Sequence, residues 1–279
     1  MKFGFCFGTT LRADPGPQRL WDLLSTVEEV GFDSAWFYNT NGSLPPVLDL
    51  VEGAAERTTA LEVGPHVLVA AGLPARPLAE RFSELARLSR GRFVAQLGLG
   101  GPREAIIQDR RQAAAAMEDL LVELAAHFDA DESLPRPPVW LGGHSNRAAR
   151  RVAALADGWV PSFIAPSEFA AKRAMIDDLV AARGGRKPVT HAVQVVYVPP
   201  SLDGADWLMP QLDDEVRRHK PGFATSDIYA FGGYQAVVDR IGEFRDGGAV
   251  HVILVPARPP HDLREEITRL HQEVVGVFR

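Results

Sequence analysis

The sequence is poorest in cysteine. Its 279 residues contain one, Cys6, so no disulfide can close within the chain and nothing points to an oxidising compartment. As a strand residue Cys6 reads as a buried structural thiol rather than a nucleophile. Positive charge is also short. Against 36 Asp and Glu stand 30 Lys and Arg, a net charge of −6. That excludes a general nucleic-acid binder, because a phosphate backbone needs a basic face. No apolar run approaches the length of a membrane span, and the start, Met1 to Thr10, turns polar too soon for a signal-peptide core. The expectation is a cytoplasmic protein that binds neither membrane nor nucleic acid and acts on a small organic molecule. The eight histidines are scattered, with no H-x-x-x-H pair, so no metal site is expected. Nor is there a G-x-S-x-G elbow or a Walker sequence.

What is present is an ordinary globular composition, 46% hydrophobic and 24% charged, in a chain long enough for a large core. No Gly/Ser-rich linker divides it, so residues 1–279 are expected to form a single domain. Short apolar runs alternate with amphipathic stretches. Strands are expected at 2–7, 34–37, 61–69, 92–97, 139–141, 158–160, 189–198 and 250–255. Helices are expected at 17–30, 46–57, 77–88, 108–126, 147–156, 167–182, 235–245 and 262–275. Between the seventh strand and its helix, residues 199–231 form an insertion, with a helix near 206–219. Eight strand–helix repeats favour an α/β fold of the (β/α)₈ TIM-barrel kind with an insertion before the last βα unit.

In such a barrel the active site lies at the C-terminal ends of the strands. The fifth end reads Val139-Trp140-Leu141-Gly142-Gly143-His144-Ser145-Asn146 and runs into a helix. Glycines let a backbone approach an anion closely, and free amides at a helix start favour a phosphate. Ser145 or Asn146 suits an N-cap, and Arg147 could add charge. A plain capped turn is the competing reading. The fourth end, Gly98-Leu99-Gly100-Gly101, lacks the spacing of a dinucleotide fingerprint and reads as close backbone packing beside a ligand.

Several segments together resemble a known family. They are Val27-Glu28-Glu29-Val30-Gly31-Phe32-Asp33-Ser34-Ala35-Trp36, Arg76-Pro77-Leu78-Ala79-Glu80 and Leu88-Ser89-Arg90-Gly91-Arg92-Phe93. Val139-Trp140-Leu141-Gly142-Gly143, Ala156-Asp157-Gly158-Trp159 and Phe244-Arg245-Asp246-Gly247-Gly248-Ala249 complete the set. In order and spacing the chain resembles the bacterial luciferase-like flavin and deazaflavin oxidoreductases, including those dependent on coenzyme F420. The resemblance implies a barrel with an insertion and a cofactor ring across its mouth. It implies a cofactor site drawn from Phe7, Asn39, His66, Val67, Gly98, Gly100, Gly142, Gly143, His144 and Ser145. A cis peptide at His66–Val67 would back the ring, and a homodimer is common in the family. The implied activity is hydride transfer between F420 and a small organic substrate.

The chain departs from the family pattern near the ring. Where the deazaflavin-dependent dehydrogenases carry Asp-His after the second strand, this chain has Asn39-Thr40, and where they carry a Glu after the fourth it has Gly101, with Glu104 three positions later. Asn39, Thr40, His66 and Glu104 are the candidate catalytic residues, and Tyr38, His66 and Glu104 the candidate proton donors. For His66 a hydrogen-bonded strand-end role competes. Two other functions stay open: an FMN-dependent luciferase-like monooxygenase, and a non-catalytic flavin-binding barrel. The insertion either caps the mouth or packs on the barrel wall.

Overall fold

The interior of the sheet is set by two tryptophans and the glycines that make room for them. Trp36 and Trp140 point inward with ring centroids 5.8 Å apart. A Cβ at Gly4 would lie 2.4 Å from Trp36 Nε1, and one at Gly158 would lie 2.3 Å from the Trp140 ring, so no larger residue fits beneath either indole. His251 closes this plug, edge-on to Trp140 at 5.4 Å. Trp36 Nε1 donates to Ser34 Oγ at 2.8 Å, and Ser34 Oγ lies 2.8 Å from His251 Nε2.

The computed structural model describes residues 1–8, 16–38, 46–101, 105–184 and 188–279. The first half comprises β1 (Lys2–Cys6), α1 (Pro17–Val30), β2 (Ser34–Phe37), α2 (Val47–Arg57), β3 (Glu62–Pro65), β4 (Leu68–Val69), α3 (Ala75–Leu88), β5 (Ala95–Gly98) and α4 (Arg110–Ala130). The second comprises β6 (Val139–Leu141), α5 (Asn146–Leu155), β7 (Gly158–Trp159), α6 (Pro166–Arg183), β8 (Thr190–Tyr197), α7 (Leu208–His219), α8 (Thr225–Ile228), β9 (Tyr229–Ala230), α9 (Tyr234–Asp246), β10 (His251–Pro256) and α10 (Leu263–Glu273). The strand order is β3-β2-β1-β10-β8-β7-β6-β5-β4, and the described pairings are parallel. A bridge from Val63 to Phe93 brings β3 back beside the start of β5. The result is a nearly closed α/β barrel of the TIM type.

Helices cover the outside because their apolar residues recur on one face. In α1 these are Leu20, Leu23, Leu24 and Val27, all buried. The helix starts with Pro17 in its first turn and stops at Gly31, whose φ of 100° is left-handed. Among the described residues no helix is long and apolar enough to cross a membrane.

Two expectations need correction. The third strand, expected over 61–69 with a cis peptide at His66–Val67, is two pieces, β3 and β4, and the peptide between them is cis as expected. Residues 199–231 hold more than one helix: α7 is followed by α8 and by β9, which pairs parallel with β8. Leu208, Leu212 and Val216 of α7 pack on Val196, Val198 and Ala257, residues at and beyond the C-terminal ends of β8 and β10. This segment therefore sits over strand ends, and Lys220 ties it to Glu168 of α6.

Candidate active site

Strand alternation decides what reaches the mouth. Trp36, Tyr38, His66, Gln96 and Gln194 fall on inward positions of their strands, and the last four meet there. His66 lies at the break between β3 and β4, buried, with Nδ1 2.6 Å from the Gln96 amide and Nε2 3.0 Å from Gln194 Oε1. Gln194 Nε2 donates to the Tyr38 hydroxyl at 3.2 Å. The Tyr38 ring stacks on His66, 5.7 Å away and inclined 26°.

Burial pushes the His66 pKa down, and the two glutamine hydrogen bonds only partly oppose this. The ring is therefore neutral near pH 7 and has one N–H. Because Gln194 donates to Tyr38, its oxygen faces His66 and accepts Nε2–H. Nδ1 is then a lone pair, and the Gln96 amide, placed with Oε1 toward it, must be turned to offer its nitrogen. That orientation gives Gln96 Nε2, otherwise buried without a partner among the described residues, its hydrogen bond. In either orientation one end of the Gln96 amide stays open within the chain. Both ring nitrogens of His66 are occupied, which is the geometry of the strand-end reading.

Val67 backs the same wall. A Cβ on Gly98 would lie 2.5 Å from Val67 Cγ2, so Gly98 makes room for that side chain. Gly100 answers to its own chain: its φ is 76°, a Cβ would lie 2.9 Å from Ala105 N, and Arg110 Nη1 donates to its carbonyl at 2.6 Å. Phe7 needs correction as a cofactor residue. Its ring is fully buried on the helix side of β1, stacked on Phe37 at 5.6 Å. The inward positions of that strand are Gly4, Cys6 and Gly8. Cys6 is free and buried, and burial pushes its thiol pKa up.

The loop after β6 supplies the other half. Gly142 N donates to Leu97 O at 3.1 Å. A Cβ at Gly142 would come no nearer than 3.7 Å to any atom, so the chain's own packing does not require glycine there. Gly143, with φ 96°, takes a backbone conformation that L side chains rarely adopt, and Trp159 Nε1 donates to its carbonyl at 2.8 Å. Ser145 caps α5, its Oγ accepting from Ala148 N at 3.1 Å. The amides of Gly143, His144, Asn146 and Arg147 have no partner among the described residues.

Two lysines come close. Lys172 donates to Asn146 Oδ1. Lys220, buried, donates to both oxygens of Glu168 at 3.1 and 2.8 Å. Desolvation, then Lys220, depresses the His144 pKa, with a smaller effect from Lys172. Arg147 does not join this loop; its Nε lies 3.6 Å from Glu118 on α4. The arrangement of unpaired amides, helix start and nearby cations suits an anion.

Asn39, Thr40 and Glu104 lie outside the described residues. Sequence reasoning missed Gln96 and Gln194. Their signal is a single amide side chain inside an apolar strand run. Phe163, at the end of the sixth barrel strand, is a non-glycine residue at φ 50° beyond β7. Its ring packs edge-on to Tyr229 at 5.9 Å and against His219 at 5.5 Å, so it joins the sixth barrel strand to the segment over the mouth. Among the described residues no group of three or more His, Cys, Asp or Glu could hold a metal ion.

Comparison with known proteins places this barrel. No curated protein matches the sequence. Among solved structures, an F420-dependent secondary alcohol dehydrogenase in complex with an F420–acetone adduct is similar at a TM-score of 0.79 and 16% identity, covering 100% of this chain and 99% of that one. A coenzyme F420-dependent tetrahydromethanopterin reductase from Methanopyrus kandleri follows at 0.75 and 16%, with the same coverage. The oxygenating constituent of 3,6-diketocamphane monooxygenase from Pseudomonas putida, in complex with FMN, has a TM-score of 0.69 at 15% identity, covering 95% and 93%. At these identities the likeness is one of fold. The model of the luciferase-like monooxygenase family matches residues 1–202, which is most of the chain. The chain belongs to the luciferase-like monooxygenase family and is an oxidoreductase.

Proposed function

We propose that the protein binds coenzyme F420 and transfers a hydride between it and a small organic substrate. The observation that carries this reading is the anion seat after β6. Its amides at Gly143, His144, Asn146 and Arg147 are unpaired, and Gly142 leaves uncovered space that the chain does not need. A phosphate fits such a seat, and a flavin-type cofactor has one. Two neighbours in fold are named for F420 dependence, and a third holds FMN.

When bound, the deazaflavin supplies the hydride chemistry, and the protein supplies binding and orientation. His66 and Val67 back the ring. Gly142 and Gly143 hold the phosphate, with His144 and Ser145 flanking it. Asn39 and Thr40 are assigned hydrogen bonds to the ring or substrate from the sequence alone. Of the three proton donors weighed on sequence, His66 is the poorest, because it is buried, neutral and bonded at both nitrogens. Tyr38 and Glu104 are the better candidates for a proton at a substrate oxygen.

Titrating the apo-protein with F420 and with FMN, followed by fluorescence, tests this. Micromolar binding of F420 with much weaker FMN binding is expected. Micromolar FMN binding with no response to F420 would instead support a second reading, an FMN-dependent monooxygenase. The departures at Asn39-Thr40 and Gly101 favour a third reading, a non-catalytic flavin-binding barrel, which binding of a cofactor without turnover of any substrate would support.

A further inference from the structure

Helix α5 carries its charge at the wrong end. Its opening, Asn146-Arg147-Ala148-Ala149-Arg150-Arg151, holds three arginines, and the first turn has no acid. Cations are unfavourable where the helix dipole is positive. Arg147 and Arg151 are also like charges at i, i+4, which weakens a helix. A fourth arginine joins them from the end of α6. Arg147, Arg150, Arg151 and Arg183 line a groove of about 490 Å³ along α5, with Val122 and Leu155 as its apolar part.

One carboxylate answers these four cations. Glu118 accepts from Arg151 Nη2 at 3.0 Å and stands 3.6 Å from Arg147 Nε. Arg151 is buried and anchored further by the Ala114 carbonyl at 3.3 Å. Its Nε is buried without a partner among the described residues. Arg150 and Arg183 have no carboxylate partner among the described residues. An excess of positive charge is thus concentrated here on a chain whose net charge is −6. Local arrangements that work against their own helix are expected where a ligand compensates them.

The groove begins at Arg147, two residues after the Ser145 cap, and follows α5 for about 12 Å at the rise of an α-helix. It therefore starts in the first turn of the helix that Ser145 caps, although none of Gly142, Gly143, His144 or Ser145 lines it. We propose that the groove binds a carboxylate-rich chain, and that this chain is the oligo-γ-glutamyl tail that F420 carries beyond its phosphate. The inference rests on the cofactor reading above. Successive carboxylates meet successive guanidinium forks, and Val122 and Leu155 meet the methylenes between them. FMN ends at its phosphate and has nothing to place there.

The test compares F420 bearing several glutamates with the same deazaflavin phosphate bearing none. The wild-type chain is expected to bind the tailed form about tenfold tighter. The double substitution Arg150→Ala/Arg183→Ala, at two exposed positions, removes that difference, and added salt shrinks it. Equal affinity for both forms, or a difference that survives the double substitution, overturns the proposal. If neither deazaflavin binds, the cofactor reading fails, and the groove is judged by tri-γ-glutamate alone in a calorimeter. Binding that depends on Arg150 and Arg183 then supports a polycarboxylate groove; no binding overturns it.

Discussion

His66 Nε2 lies 3.0 Å from Gln194 Oε1, so the orientation of the imidazole behind the mouth is fixed from across the barrel by β8. The neutral ring depends on that amide. Gln194→Glu puts a carboxylate beside it and raises the His66 pKa. In NMR titrations the wild-type His66 should titrate below the ordinary imidazole pKa of about 6.5, and the variant's ring above the wild-type one. A protonated His66 in the wild-type protein at neutral pH would contradict the assignment.

A second buried imidazole sets a pH dependence of stability. Desolvation first, then Lys2 and His66, pushes the His251 pKa down to about 3. The unfolded ring takes its proton near its ordinary pKa of about 6.5. Below that pH the unfolded state binds more protons, so stability falls as pH falls toward about 3, where the native ring also protonates. The slope from this residue is at most about 1.4 kcal/mol per pH unit. Urea unfolding at a series of pH values should show a shallower slope for His251→Gln. An unchanged slope would count against it.

Gly158→Ala drives a methyl into the Trp140 ring, with 2.3 Å where van der Waals contact needs much more. Destabilisation of about 1–3 kcal/mol is expected in chemical denaturation. Adding Trp140→Leu should recover part of it, so the two changes will be non-additive.

Gly142→Val separates folding from binding. Nothing in the chain lies within 3.7 Å of the added Cβ, so stability should change by less than about 1 kcal/mol. Affinity for FMN or F420 should fall about tenfold or more, and affinity for riboflavin, which has no phosphate, should not. Equal losses for FMN and riboflavin would move the phosphate elsewhere.

Phe163→Ala removes the ring that holds His219 and Tyr229. Hydrogen exchange should rise across residues 208–230, and substrate selectivity should change while cofactor affinity holds. Protection that stays at the wild-type level would show that Phe163 does not fasten this segment.

The barrel could be read from the sequence because its helices are strongly amphipathic and its strands fall between clear stops. Leu20, Leu23, Leu24 and Val27 announce α1, and Gly31 ends it. The turn after β6 was legible for a similar reason, since Gly142-Gly143 and a capping Ser145 announce themselves locally. What stayed hidden depends on neighbours distant in sequence. The break at His66–Val67 lies inside a continuous apolar run, and only the family resemblance suggested it. β9 is two residues long and carries no period. Gln96 and Gln194 become partners only when β5 and β8 curve toward each other around one imidazole. Phe7 was taken from its place at the end of the first strand, and that place alone does not tell which side of the strand faces the axis.

Among the described residues, the plug of Trp36, Trp140 and His251 closes the floor of the barrel. With its floor filled by packed rings, nothing passes through from below. Whatever lies against the His66–Val67 wall must enter by the mouth before anything that reacts above it, and must leave after it. For the two-ligand chemistry proposed here, that is an ordered sequence: cofactor first in and last out, with the substrate exchanging above it at each turnover.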